Sequence, residues 1–177
     1  WQEEIKGMDY SRKDLLKFIS LIRLPDFVTK KDFKWAIETA TKKKKLDYKT
    51  YVVVGDGECN EGSTLEAFVS AVQYKLDNLI VFIDHNGYQQ DGMTSEIMNF
   101  SFADTLGAIG CKVVEIDGND TEAIINALEN RPINGKPLVI VGHTIKGKGV
   151  SFMEGVNSWH HSSMNEDQYK QAMEELK

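Results

Sequence analysis

Asp56 and Asn86 stand thirty positions apart, and each is set among glycines: Gly55-Asp56-Gly57 and Asn86-Gly87. A carboxylate, an amide oxygen and backbone freed by glycine suit a hard divalent cation that carries phosphate. Mg²⁺ prefers an octahedron of oxygens and takes only one or two carboxylates, which leaves positions for phosphate. The turn after Gly57 opens a helix, whose first N–H groups and positive dipole end favour the same anion. Glycines beside an aspartate also let the chain turn sharply and approach a ligand closely. A plain strand-to-helix turn would carry the same three residues, so the surrounding elements have to decide.

Those elements read as one strand-helix-strand unit. Tyr51-Val52-Val53-Val54 is a short, continuously apolar run, the pattern of a strand buried on both faces. The helix that follows is predicted to bury Leu65, Phe68, Val69, Val72 and Leu76 on one face. Leu79 to Ile83 reads as a second buried strand, ending in Asp84-His85-Asn86-Gly87. In a parallel unit both strand ends emerge on the same edge of the sheet, where open α/β sheets bind ligands. Asp56 and Asn86 are therefore expected to meet.

These residues carry a resemblance. Gly55-Asp56-Gly57 with Asn86 resembles the thiamine diphosphate signature. GDGECNEG, YKLDNLIVFIDHNGYQQDGMT and HTIKGKGVSFME resemble the amino-terminal subunit of transketolases encoded as two chains, over roughly residues 42–177. The resemblance implies thiamine diphosphate with Mg²⁺ or Ca²⁺ as cofactors. It implies metal ligands at Asp56, Asn86 and the Tyr88 backbone carbonyl, with Gly55 and Gly57 beside the diphosphate. Glu61 matches a glutamate near the cofactor and the subunit interface, and Glu66 a second interface glutamate. His160 matches a catalytic histidine that reaches the diphosphate and the substrate, while His161 departs from the glycine usual there.

The implied activity is transfer of a two-carbon ketol unit between sugar phosphates. It would be shared with a separate carboxy-terminal, pyrimidine-binding subunit in a heterotetramer, and this chain alone would be inactive. A non-catalytic assembly subunit, or a related thiamine diphosphate enzyme acting on another 2-keto substrate in secondary metabolism, are the alternatives.

The rest of the chain bounds these readings. Hydrophobic residues at 41% and charged residues at 27% fit an ordinary globular domain, and 177 residues suffice for one core. No apolar run reaches the length of a membrane span. Two cysteines, Cys59 and Cys111, lack metal spacing and read as free cytoplasmic thiols. The first fifty residues carry an excess of five positive charges and the remainder an excess of eleven negative ones. The basic residues are scattered or gathered in Lys42–Lys45, without interleaved aromatics, which argues against nucleic acid. A dinucleotide-binding domain is disfavoured by the absence of GxGxxG.

Further along, Ser101 is expected to cap a short helix, Lys112–Ile116 to form a strand, Asp120 or Thr121 to open a helix and Leu138–Val141 to form another strand. That alternation predicts an α/β fold, a doubly wound parallel sheet with helices on both faces and the thiamine diphosphate-binding architecture. His143-Thr144-Ile145-Lys146-Gly147-Lys148-Gly149 is no P-loop; its lysines suit phosphate or a mobile surface loop equally. Asn165 and Gln168 form a capping box for a last helix with Tyr169, Ala172, Met173 and Leu176 on one face.

Before residue 42 the pattern departs from the family. Helices are expected over Asp9–Phe27 and from Asp32 to the lysine run. The histidines and glycine-rich loop the family places there are missing: no histidine precedes His85, and Gly7 alone precedes Gly55. A single domain with segments absent, joined near Leu24–Thr29, is the favoured explanation, as Trp1 is no natural start. Loss of those groups, with weakened cofactor binding, is the alternative.

Overall fold

Strands and helices alternate from Thr50 to Glu175 in a computed structural model that describes residues 49–177. The helices expected over Asp9–Phe27 and after Asp32, and the junction near Leu24–Thr29, lie outside the described residues. In chain order the elements are β1 (Thr50–Gly55), α1 (Asp56–Cys59), α2 (Gly62–Gln73), β2 (Leu79–His85), β3 (Tyr88–Gln89), β4 (Gly92–Met93), α3 (Thr94–Ile97), α4 (Phe102–Ile109), β5 (Lys112–Asp117), α5 (Thr121–Glu129), β6 (Leu138–His143), a 3₁₀ turn (Asn157–His160) and α6 (Glu166–Glu175).

Among the described residues four strands make one sheet in the order β1-β2-β6-β5, every pair parallel. The strands alternate their side chains between two cores, as the period of two requires. Val52, Val54, Val81, Ile83, Val139 and Val141 face α2 and α4, while Ile80, Phe82, Leu138 and Ile140 face α5. Helices thus cover both faces, as the alternation of elements predicts.

Local signals set the helix ends. Ser101 accepts from the Asp104 N–H at 3.1 Å to start α4, and Gly110, at φ +116°, ends it. Asp120 accepts from Glu122 and Ala123 to start α5. Asn165 and Gln168 form the reciprocal capping box of α6, at 2.9 and 3.0 Å.

Two expected apolar faces are corrected. The helix after the acidic loop is broken at Asn60-Glu61, so α2 starts at Gly62 and its buried line is Thr64, Ala67, Phe68 and Ala71. Leu65 and Val72 flank that line, Val69 is 54% exposed, and Leu76 is buried beyond the helix end. Small residues at 67 and 71 let α2 lie close to the sheet, which turns Val69 outward. On α6 only Ala172 is buried; Tyr169, Met173 and Leu176 are exposed.

Phe68 is fully buried where α2 meets the sheet. Phe68→Ala is expected to cost about 3–5 kcal/mol, read as a lower urea midpoint at unchanged slope.

Candidate functional site

Gly55 of β1 pairs with Asp84 of β2, so the two strands end side by side. Asp56 follows directly and is almost wholly buried, 1% exposed. Its Oδ2 accepts from the Gly87 N–H at 2.8 Å, a contact across 31 positions, and its Oδ1 accepts from the Gly57 N–H at 3.0 Å. The carboxylate and the Asn86-Gly87 corner therefore meet as the parallel unit requires. Asn86 Oδ1 accepts from the Tyr88 N–H at 3.0 Å.

The turn is braced from both sides. Glu58 Oε2 accepts from the Gly55 N–H at 2.8 Å, and Asn60 Nδ2 donates to Gln89 Oε1 at 3.2 Å. A Cβ on Gly57 would stand 2.9 Å from the Gln89 Cβ. Glycine there admits the chain's own β3, a use that its sequence neighbours do not reveal. Cys59 and Cys111 are buried free thiols, and burial pushes Cys111 up to about 11. Both are packing residues.

Asp56 accepts only backbone N–H groups, and among the described residues no lysine, arginine or histidine pairs with it. Burial pushes its carboxyl up to about 6; the Gly87 and Gly57 N–H groups oppose this, and the nearby Asp84 charge adds to it. A buried carboxylate with no cation of its own fits a bound divalent metal. Among the described residues no three histidine, cysteine or acidic side chains converge as a zinc-type cage would require.

A pH dependence follows. The folded chain holds the Asp56 proton more tightly than the unfolded chain does. Metal-free stability should therefore fall as pH rises from about 4 to about 6, by at most about 3 kcal/mol from this group and less to the extent that solvent screens it. Mg²⁺ competes with that proton, so its affinity should decline as pH drops below about 6. Unfolding curves at pH 5 and 7, with and without Mg²⁺, check both signs.

The other expected residues take up distinct places. Asp84, Asn86, Asn119, Thr144 and Lys146 form the polar end of a cavity of about 480 Å³ whose remainder is apolar sheet and α5. His160, in the 3₁₀ turn, has its Nδ1 3.5 Å from Lys146 Nζ, which places it beside that polar end. His161 is exposed and stacks edge-on to His160 at 4.5 Å. The Tyr88 hydroxyl lies near Gly155, 3.7 Å from where a Cβ would stand, so the Asn86 loop also meets the segment before His160. Glu61 and Glu66 are exposed, Glu61 at the position just before α2.

Sequence reasoning passed over Asp84 and Thr144. The signal was the period of two along β2, which puts Asp84 on the same side as Phe82 and Asn86.

The model of the family described as transketolase, thiamine diphosphate binding domain, matches residues 29–177. The chain belongs to the transketolase family. Its relatives include one chain of the apulose-4-phosphate transketolase of Phocaeicola vulgatus, 46% identical over 139 residues that make up 77% of this chain and 50% of that protein. One chain of the 6-deoxy-6-sulfo-D-fructose transketolase of a Clostridium species is 42% identical over 71% of this chain and 46% of that protein. This transketolase-family chain thus spans about half the length of the curated relatives it matches. The crystal structure of transketolase from Campylobacter jejuni superposes with a TM-score of 0.72 at 32% identity, covering 78% of this chain and 23% of that one. The thiamine diphosphate-binding fold is therefore shared. No helix among the described residues is long and apolar enough to cross a membrane.

Proposed function

We propose that this chain binds thiamine diphosphate through Mg²⁺ or Ca²⁺ and, with a separate pyrimidine-binding subunit, transfers a two-carbon ketol unit between sugar phosphates. The observation that carries the reading is Asp56: a buried carboxylate with no cationic partner among the described residues, locked against the Asn86-Gly87 corner at the carboxyl edge of a parallel sheet. Asp56, the Asn86 amide oxygen and the Tyr88 carbonyl would hold the metal. Gly55 and Gly57 keep the turn beside the diphosphate slim. When bound, thiamine diphosphate supplies the nucleophilic carbon that carries the two-carbon unit.

The chain's own groups do the rest. His160 stands beside the polar end of the cavity, where an imidazole can hold or pass a proton at the substrate oxygen. Glu61, exposed at the start of α2, would meet the partner chain on the far side of the cofactor. The Phocaeicola and Clostridium relatives are each one subunit of a transketolase, which supports the heteromeric reading. By their names the first acts on a sugar phosphate and the second on a sulfonated ketose. An anionic ketose is therefore the substrate class proposed. Buried, unpaired thiols suit a cytoplasmic setting.

Calorimetric titration of thiamine diphosphate with Mg²⁺ into the full-length chain together with its partner tests the proposal. Metal-dependent binding is expected, and ketol transfer only when both chains are present. Absence of binding by the wild-type pair would remove the catalytic claim and favour an assembly role.

A further inference from the structure

Asp84 occupies the penultimate position of β2, with Gly55 of β1 and Gly142 of β6 as its sheet neighbours. Neither neighbour has a side chain to compete for its carboxylate. One oxygen, Oδ1, accepts from the Thr144 hydroxyl; the other, Oδ2, accepts from Asn86 Nδ2 at 3.4 Å. On its other side Asn86 Oδ1 accepts from the Tyr88 N–H at 3.0 Å. Thr144 lies 60 positions from Asp84, and its own N–H donates to the His85 carbonyl at 3.1 Å.

We infer that Asp84 is a positioning residue that sets the polarity of the Asn86 amide and pins the loop carrying Lys146 to the same point. The two ends of a carboxamide are almost the same shape, so packing alone does not choose between them. A carboxylate only accepts, so Asp84 can be satisfied by the NH₂ end alone. That leaves the Asn86 oxygen turned toward the Tyr88 N–H and the metal position. A reversed amide would present NH₂ to a cation and to an N–H donor, and both contacts would become repulsive. The second carboxylate oxygen holds Thr144, which fixes the start of the 144–149 loop relative to the Asn86 corner. The inference rests on the metal site proposed above and assigns to that site a supporting carboxylate that is not itself a ligand.

Metal affinity tests it, measured as Mg²⁺ titration in saturating thiamine diphosphate with the full-length chain and its partner. Asp84→Ala should weaken Mg²⁺ tenfold to a hundredfold, the usual effect of losing a group that orients a ligand. Asp84→Asn keeps the size of the side chain and an oxygen for the Thr144 hydroxyl but turns an NH₂ group toward Asn86, so it should fold like the wild type and still weaken Mg²⁺ at least tenfold. A purely structural part for Asp84 would lower melting temperatures and leave the affinity of the folded protein in place. Wild-type affinity in a folded Asp84→Ala variant overturns the inference. So does a folded Asp84→Asn variant with wild-type affinity. If Asp84→Ala does not fold, Asp84→Asn decides: a loss of tenfold or more supports the inference, and a smaller loss overturns it. Failure of the wild-type pair to bind Mg²⁺ would instead strike the proposed function itself.

Discussion

Asp56→Ala should weaken Mg²⁺ binding in the presence of thiamine diphosphate by at least about a hundredfold, more than the loss expected for a supporting residue. The reason is that Asp56 supplies the one buried carboxylate at the turn, and its oxygens are already oriented by the Gly57 and Gly87 N–H groups. The stability change should be small by comparison. Removing the side chain strands two N–H donors, at about 1–3 kcal/mol each, but it also removes a charge that burial disfavours. The two effects oppose one another, so the variant is expected to fold and to fail at binding. Calorimetry checks the affinity and a urea titration checks the stability. Wild-type affinity in Asp56→Ala would remove this residue from the metal site.

The second large effect belongs to Gly147. It lies at φ +73°, and a Cβ there would stand 2.6 Å from the Met153 carbonyl oxygen. The neighbour is backbone, so it cannot swing aside, and left-handed backbone adds about 1 kcal/mol for a residue with a Cβ. Gly147→Ala should therefore cost at least about 2 kcal/mol in stability or force the 147–155 loop into another path. Either way the Gly155 N–H to Lys146 carbonyl bond and the approach of Lys146 to His160 should be disturbed. The check is a melting curve beside ketol-transfer kinetics of the reconstituted pair. Loss of turnover larger than loss of cofactor affinity is expected, because the proposed metal ligands lie on other loops.

Much of this site was legible in the sequence because its chemistry is local. The apolar runs of β1 and β2 are continuous, as strands buried on both sides must be, and glycine marks the turn at Asp56. What was not legible depends on contacts between distant positions. Gln89 filling the space over Gly57, and Thr144 meeting Asp84, join segments 32 and 60 positions apart, and no spacing rule predicts such pairs. Val69 misled for a related reason. Periodicity marks an apolar stripe, but the helix break at Asn60-Glu61 and the small residues Ala67 and Ala71 rotate the buried line away from it. The apolar side of α6 shows the same limit: a stripe read from sequence says nothing about whether another surface covers it.

The position of β6 between β2 and β5 has a consequence for how the chain reaches its native state. β1 and β2 can pair early, since only the short α1–α2 connection joins them, but the other edge of β2 stays open until residues 138–143 have been synthesised. Closing so long a loop costs entropy before any pairing rewards it, which slows folding. During that interval Ile80-Val81-Phe82-Ile83 is an uncovered apolar strand, the kind of edge on which nascent chains aggregate. Insertion of β6 is also the step that brings Thr144 to Asp84, so the Asp56–Gly87 contact can form with β1 and β2 while the loop carrying Lys146 joins it only when β6 is in place.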